Sequence, residues 1–263
     1  MMVIIITVRM ATAMPEERGG ADMAKEKKNA QIQAALGRDM SFGAAEAYKR
    51  LRTNLDFSMP DLGDSCKVIG ITSSQKGEGK STTAVNLAYT IAQTGRNVLL
   101  IECDLRLPTY SKRLHLAPAP GFTNLLVGTA DGSQVLQKFN GMSTLRIITA
   151  GDIPPNPAEL LSSKRMRLAI EAMKQAADVI ILDLPPVCEV SDALIVSYLM
   201  DGIIVAVREN YCDKRSLEET MRQLRFAEVK VLGFVLTDSR IQHKKYKKGY
   251  GYEKKNSAAM EMP

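Results

Sequence analysis

The sequence predicts an α/β fold with a mostly parallel sheet flanked by helices, and three observations predict it. Short, nearly continuous apolar runs alternate with segments of helical periodicity from residue 67 to residue 236. Such runs are strands buried on both faces, the mark of a parallel sheet covered by crossover helices. A glycine-rich loop, Ser74-Gln75-Lys76-Gly77-Glu78-Gly79-Lys80-Ser81, stands at one strand-to-helix junction. Two other apolar runs end in carboxylates, one at Glu102 and Asp104 and one at Asp183.

In chain order, residues 1–40 are rich in Met, Ala and Lys with little periodicity, and read as a flexible N-terminal leader. Met10, Met14, Met23 and Met40 are alternative starts. Residues 41–240 form one domain. Ser41 can cap a helix over Ala44–Phe57. A strand over Lys67–Ser73 precedes a helix over Lys80–Thr94, which places Ala84, Leu87, Ala88 and Ile91 on one face and stops at Gly95. Strands follow at Asn97–Cys103 and Thr144–Thr149, with a short helix near Thr123–Val127 between them. Pro157–Ala176 reads as one helix with Pro157 in its first turn. Then come strand Asp178–Leu182, helix Asp192–Met200, strand Gly202–Val207, helix Lys214–Phe226 and strand Val229–Leu236. Residues 241–263 read as a flexible tail rich in Tyr and Lys.

Composition narrows the function classes. A chain of 263 residues with 45% hydrophobic content suits one domain with a sizeable core and flexible ends. No apolar run reaches the ~18–20 residues that span a bilayer. Met1–Val8 is apolar but too short, and it lacks the basic start and cleavage site of a signal peptide. The expected location is therefore the cytoplasm, with any membrane recruitment supplied by a partner. Cys66, Cys103, Cys188 and Cys212 form no Cys-x-x-Cys pair, and His115 and His243 stand alone, so the cysteines read as reduced thiols and not as a zinc or disulfide framework. The net charge of +6 is concentrated at the ends, in Lys25, Lys27 and Lys28 and in Lys244, Lys245, Lys247, Lys248, Lys254 and Lys255. Such tails suit an anionic surface or are simply solvated. No nucleic-acid partner is expected.

The loop carries the chemistry. Gly77 and Gly79 let the backbone curl so that its N–H groups face phosphates, and the helix beginning near Lys80 adds its positive end. Lys80 can reach β- and γ-phosphates, and Ser81 has the hydroxyl that binds Mg²⁺. Residues 74–82, Ser74 through Thr82, are the candidate ATP-binding residues, with Mg²⁺ as cofactor. Alternating residues at a strand end point the same way, so Glu102 and Asp104 are expected to face one site, with Asp183 beside them. Three carboxylates next to a phosphate loop suit a hard divalent cation. Ser81, Asp104 and Asp183 are the candidate metal ligands.

Taken together, these residues resemble the bacterial tyrosine kinases of capsule and exopolysaccharide synthesis, over about Ser41 to Tyr252. Ser73–Thr82 looks like the family's first Walker motif. Glu102-Cys103-Asp104-Leu105-Arg106-Leu107-Pro108 resembles its second acidic motif, and Ile180-Ile181-Leu182-Asp183-Leu184-Pro185-Pro186 its Walker B. Gly151–Leu161 resembles a Pro-Pro-Asn-Pro segment typical of the family, and Glu46–Asn54 its oligomerisation helix.

The resemblance implies a P-loop NTPase fold of the branch shared with partition ATPases. It implies an ATP-dependent protein-tyrosine kinase with Lys80, Glu102, Asp104, Arg106 and Asp183 as catalytic residues. Glu102 or Asp104 would accept the tyrosine proton, and Arg106 would stabilise leaving charge. The resemblance further implies autophosphorylation in trans at Tyr246, Tyr250 and Tyr252, and a homo-oligomer interface at Glu46, Lys49 and Arg52. The partners it implies are a membrane adaptor or chain-length regulator as activator, and a tyrosine phosphatase. The alternative functions are a partition-type ATPase and a nucleotide-gated regulatory subunit with little kinase activity.

The departures from the family pattern are specific. Ser74 stands where the loop normally begins with Gly. Glu102 replaces the first Asp of the second motif, one methylene longer. Lys49 replaces an Arg and lacks its bidentate fork. Gln75 stands where partition ATPases carry a signature Lys, which favours the kinase branch. Thr237 stands where many relatives of the wider fold have an Asn for the base.

Overall fold

The computed structural model describes residues 4–8, 36–59 and 65–238. Eight strands form a single sheet: β1 (Ile4–Val8), β2 (Lys67–Ser73), β3 (Val98–Glu102), β4 (Gln137–Lys138), β5 (Leu145–Ile148), β6 (Val179–Asp183), β7 (Gly202–Arg208) and β8 (Val231–Thr237). Their order is β1-β8-β7-β2-β6-β3-β5-β4, parallel throughout except for the two-residue β4. The central strands are fully buried apolar runs, as a sheet covered on both faces requires.

Side chains alternate between two cores. Ile69, Ile71, Leu100 and Ile181 face one side. There they meet α1 (Phe42–Ser58), through Tyr48, Leu51 and Leu55, and α2 (Lys80–Ala92), through Leu87 and Ile91. Val68, Ile101, Ile180 and Leu182 face the other. Covering them are α4 (Phe122–Val127), α6 (Pro157–Leu161), α7 (Lys164–Lys174) and α9 (Lys214–Phe226), through Phe122, Leu161, Ile170 and Leu224. The Ser41 hydroxyl accepts the Ala44 amide and starts α1 as its side-chain chemistry predicts. Nearly every residue of α2 is buried, because it lies between the sheet and α1.

The segment expected to be a leader holds two ordered pieces. Ile4–Val8 pairs in parallel with Gly233–Thr237, and Gly37–Asp39 makes one 3₁₀ turn whose Gly37 amide reaches the Asn86 side chain. The run Ile-Ile-Ile-Thr-Val is β-branched throughout, which suits an extended strand laid on an otherwise open edge.

Two expected helices are divided. Pro157–Ala176 breaks at Ser162–Ser163, where the Ser163 hydroxyl caps the second piece by accepting the Met166 amide. Asp192–Met200 divides into α8 (Asp192–Ile195) and a 3₁₀ turn at Ser197–Leu199. Two short helices, α3 (Tyr110–Leu114) and α5 (Gly132–Val135), join the expected set. The tips of β2, β6 and β3 lie side by side, and the glycine-rich loop leaves the central β2. This is the carboxyl edge where open α/β sheets bind ligands.

Candidate functional site

The loop between β2 and α2 turns on two glycines with left-handed backbone, Gly77 (φ 89°) and Gly79 (φ 88°). A side chain at either position would be strained. Gly79 caps α2, so the amides at the start of that helix open into the concavity.

The rest of the loop is pinned from behind. The Thr220 hydroxyl donates to Ser74 Oγ at 2.9 Å, which gives the serine at the usual glycine position a buried partner. Gln75 donates its side-chain amide to Ser216 Oγ at 2.8 Å and to Asp213 Oδ2 at 3.2 Å. Tyr211 donates its hydroxyl to the Lys76 carbonyl at 3.0 Å, and Thr237 donates to the Glu78 carbonyl at 2.8 Å. Two loop amides are held by carboxylates: Gln75 N–H by Glu78 Oε2 at 2.8 Å and Lys76 N–H by Glu189 Oε1 at 2.7 Å.

Lys80, Ser81, Asp104 and Asp183 come together as expected. The buried Lys80 ammonium lies 2.9 Å from Asp104 Oδ2, 3.4 Å from Ser81 Oγ and 3.7 Å from Asp183 Oδ1. Burial pulls the ammonium's pKa down, but Asp183 and Asp104 outweigh it and hold it above the ordinary lysine value. Burial pushes the Asp183 carboxyl up, against the pull of Lys80, the Ser81 hydroxyl and the Tyr110 phenol. Among the described residues neither buried Asp183 oxygen has a partner at ordinary hydrogen-bond geometry; the Ser81 hydroxyl, the Tyr110 phenol and the Lys80 ammonium at 3.7 Å surround it more loosely. A buried carboxylate with open lone pairs, beside a serine hydroxyl and a second carboxylate, is a hard-oxygen donor set that fits Mg²⁺. Among the described residues no group of three or more Asp, Glu, His or Cys side chains could hold a metal ion alone.

Glu102 does not join this group. It does not share Asp104's contact with Lys80, since β3 ends at Glu102 and strand alternation does not extend to residue 104, although it lies beside Asp183 in register and its charge helps raise the Lys80 pKa. Glu102 Oε1 accepts the amides of Thr109 and Tyr110, and Oε2 accepts the amide of Ala150. Burial pushes its carboxyl up to about 7, although all three amide bonds favour the charged form. Arg106 is also held elsewhere, bidentate on the buried Asp192, with Nε–Oδ2 2.8 Å and Nη2–Oδ1 3.0 Å.

Of the residues expected at an assembly interface, Glu46 and Lys49 pair with each other at 2.7 Å on the exposed side of α1. Arg52 turns inward and donates to the Thr90 carbonyl at 3.2 Å. Tyr246, Tyr250 and Tyr252 lie outside the described residues.

Sequence reasoning missed Glu189, Asp192, Tyr211 and Thr220, which reach the site from segments far along the chain. Glu189 and Asp192 follow the Pro185-Pro186 pair beyond β6, the one local signal that could have found them. Arg113, which donates to the Thr82 hydroxyl at 2.7 Å, was also missed.

Residues 66–231 match the family model described as an AAA domain. The chain is 39% identical over 214 residues to tyrosine-protein kinase YwqD of Bacillus subtilis (strain 168), covering 81% of this chain and 88% of that one. It is 35% identical to tyrosine-protein kinase CpsD of Streptococcus agalactiae serotype III (strain NEM316), covering 73% of this chain and 81% of that one. Among solved structures it resembles the kinase domain of the Escherichia coli tyrosine kinase ETK, with TM-score 0.76, 27% identity, and 93% and 94% of the two chains covered.

Proposed function

The chain belongs to the bacterial tyrosine-protein kinases, P-loop enzymes with an AAA domain, and on that premise we propose that it transfers the γ-phosphoryl group of ATP to tyrosines in the tails of neighbouring copies. The acceptors in this reading are Tyr246, Tyr250 and Tyr252. The observation that carries it is the convergence of Lys80, Ser81, Asp104 and Asp183 at the open end of the glycine-rich loop.

In this reading the loop amides and Lys80 bind the β- and γ-phosphates and neutralise charge as the phosphoryl group moves. Lys80 would leave its Asp104 contact to do so. Mg²⁺, held by Ser81, Asp104 and Asp183 together with phosphate oxygens, supplies further charge neutralisation when bound. The tyrosine oxygen forms a bond to the γ-phosphorus as the bond to the β–γ bridging oxygen breaks, and ADP leaves. Of the two carboxylates expected as base, Asp104 is the one in direct contact with the Lys80 ammonium, at 2.9 Å, and we assign it the tyrosine proton. Arg106 would reach the leaving charge only after releasing Asp192.

We place this activity in the regulation of capsule or exopolysaccharide synthesis and export. In that setting a membrane adaptor activates the kinase and recruits it to the inner face of the membrane, a phosphatase reverses the modification, and the copies assemble through α1. The basic tail complements an anionic surface, and each added phosphate would contribute about −1.5 to −2 charges. No helix among the described residues is long and apolar enough to cross a membrane.

The test mixes a chain without the site lysine and a chain without the acceptor tyrosines. A Lys80→Met chain with an intact tail is incubated with ATP, Mg²⁺ and a chain whose three tail tyrosines are Phe, with and without a candidate adaptor. Phosphate mapped on Tyr246, Tyr250 or Tyr252 of the Lys80→Met chain supports transfer in trans. Steady ATP hydrolysis with unmodified tyrosines in the wild type, even with the adaptor, would sink the proposal.

A further inference from the structure

The other carboxylates around the loop face either a cation or an amide of the loop itself: Asp104 faces Lys80, Glu78 the Gln75 amide and Glu189 the Lys76 amide. Glu102 faces neither. It is 1% exposed, and its two oxygens take three backbone amides from two other segments of the chain. Thr109 and Tyr110 open α3, and Ala150 follows β5. The Ala150 carbonyl in turn accepts the Thr123 amide of α4. One carboxylate therefore ties the end of β3 to the start of α3 and to the segment after β5.

The tie closes a short loop. Residues 103–108 run from Glu102 to the two amides it holds, so their ends are fixed to one side chain. That loop carries Asp104, which meets Lys80 and accepts the Leu107 amide at 3.1 Å, and Arg106, which meets Asp192. In the sheet, Glu102 lies directly beside Asp183 in register. Two buried carboxylates side by side are costly unless each is compensated. The amides offset part of the cost of burying Glu102, while the direct contacts of Lys80 go to Asp104 and Asp183. An aspartate here would be one methylene shorter, with less reach to span amides on two segments.

We propose that Glu102 is a positioning residue, a staple that holds the loop of residues 103–108 so that Asp104 is presented to Lys80 and the phosphate site. The proposal rests on the reading that Asp104 serves that site.

The experiment has two arms. In the wild-type chain, hydrogen exchange should find the Thr109, Tyr110 and Ala150 amides strongly protected. Unprotected exchange there overturns the staple without any variant, so the proposal stays testable even if the variants do not fold. In the second arm, Glu102→Asp and Glu102→Gln are compared with the wild type by calorimetric titration of ADP at graded Mg²⁺, and by kcat and KM.

Glu102→Gln keeps an oxygen for Thr109 and Tyr110, the pair that closes the loop of residues 103–108, but turns its NH2 toward the Ala150 amide; losing that one bond should leave every parameter within about tenfold of wild type. Glu102→Asp should weaken Mg²⁺-dependent ADP binding by roughly 10- to 100-fold, the usual effect of disturbing the support of a metal ligand. Metal-free ADP binding should change far less. The reverse order, with Glu102→Gln losing kcat by about 10²- to 10⁴-fold and Glu102→Asp active, would make Glu102 the base and refute the proposal. A wild type that makes no phosphotyrosine fails the functional reading but leaves the exchange arm intact.

Discussion

The carboxylate of Glu189 occupies the Lys76 amide of the phosphate loop, so its removal should strengthen nucleotide binding. The contact is 2.7 Å, from a loop N–H to a carboxylate oxygen that resembles a phosphate oxygen in charge and geometry. Hydrogen bonds to charged groups contribute about 1.5–3 kcal/mol. Glu189 is exposed, so water competes for both partners and the low end applies. A nucleotide that must displace this contact gives up about 1.5 kcal/mol, roughly tenfold in Kd. Glu189→Ala should therefore bind ATP about tenfold more tightly. Glu189→Gln, which keeps the acceptor but not the charge, should fall between. The assay is calorimetric titration at fixed Mg²⁺ in a chain whose tail tyrosines are Phe, so that turnover does not interfere. AMP serves as the control, because it lacks the β- and γ-phosphates. An unchanged or weaker ATP Kd, or an equal gain for AMP, would refute the reasoning.

Three further outcomes follow from the same contacts. Lys80→Met leaves Asp104 and Asp183 buried without their cation, which should destabilise the fold by about 3–5 kcal/mol, read as a lower urea midpoint at neutral pH. The raised pKa of Asp183 means that protonation relieves part of this loss as pH falls. Burial pushes Glu102 from 4.5 up to about 7, so the folded chain binds that proton more readily than the unfolded chain. Its contribution is fully present below about pH 4.5 and is lost as pH rises through about 7, by about 3 kcal/mol in total. Denaturation between pH 5 and 8 should show this decline in wild type and not in Glu102→Gln; parallel profiles would count against it. Arg52→Ala should cost about 1 kcal/mol of monomer stability, because Arg52 bonds the Thr90 carbonyl in the last turn of α2. The exposed Glu46–Lys49 pair should contribute less than half of that, as separate thermal melts would reveal.

The sheet and the heart of the site were legible because they depend on local pattern. Short β-branched apolar runs such as Val179–Leu182 suit buried strands, and the strand–loop–helix order around Lys80 fixes where phosphate can sit. Glu102 was misread because alternation holds only inside a strand, and β3 stops there. The break at Ser162–Ser163 was hidden because serine is as much a helix cap as a helix residue. Glu189 and Thr220 lie 113 and 146 residues from their loop partners, a pairing that only the folded sheet creates. The inward turn of Arg52 was equally hidden, since a charged stripe on a helix does not say which member finds a carbonyl on its neighbour.

The two borders of the sheet differ in their capacity for unwanted growth. The β4 border is closed by a two-residue strand running against its neighbour, too short and of the wrong direction to template a parallel partner. At the other border, Ile4–Val8 offers five consecutive uncharged residues, with no proline or lysine to interrupt pairing. A shortened chain without those five would move the border to Val231–Thr237, another uncharged strand. Among the described residues β1 ends the sheet, so in either form strand addition at high concentration is expected at this border and not at β4.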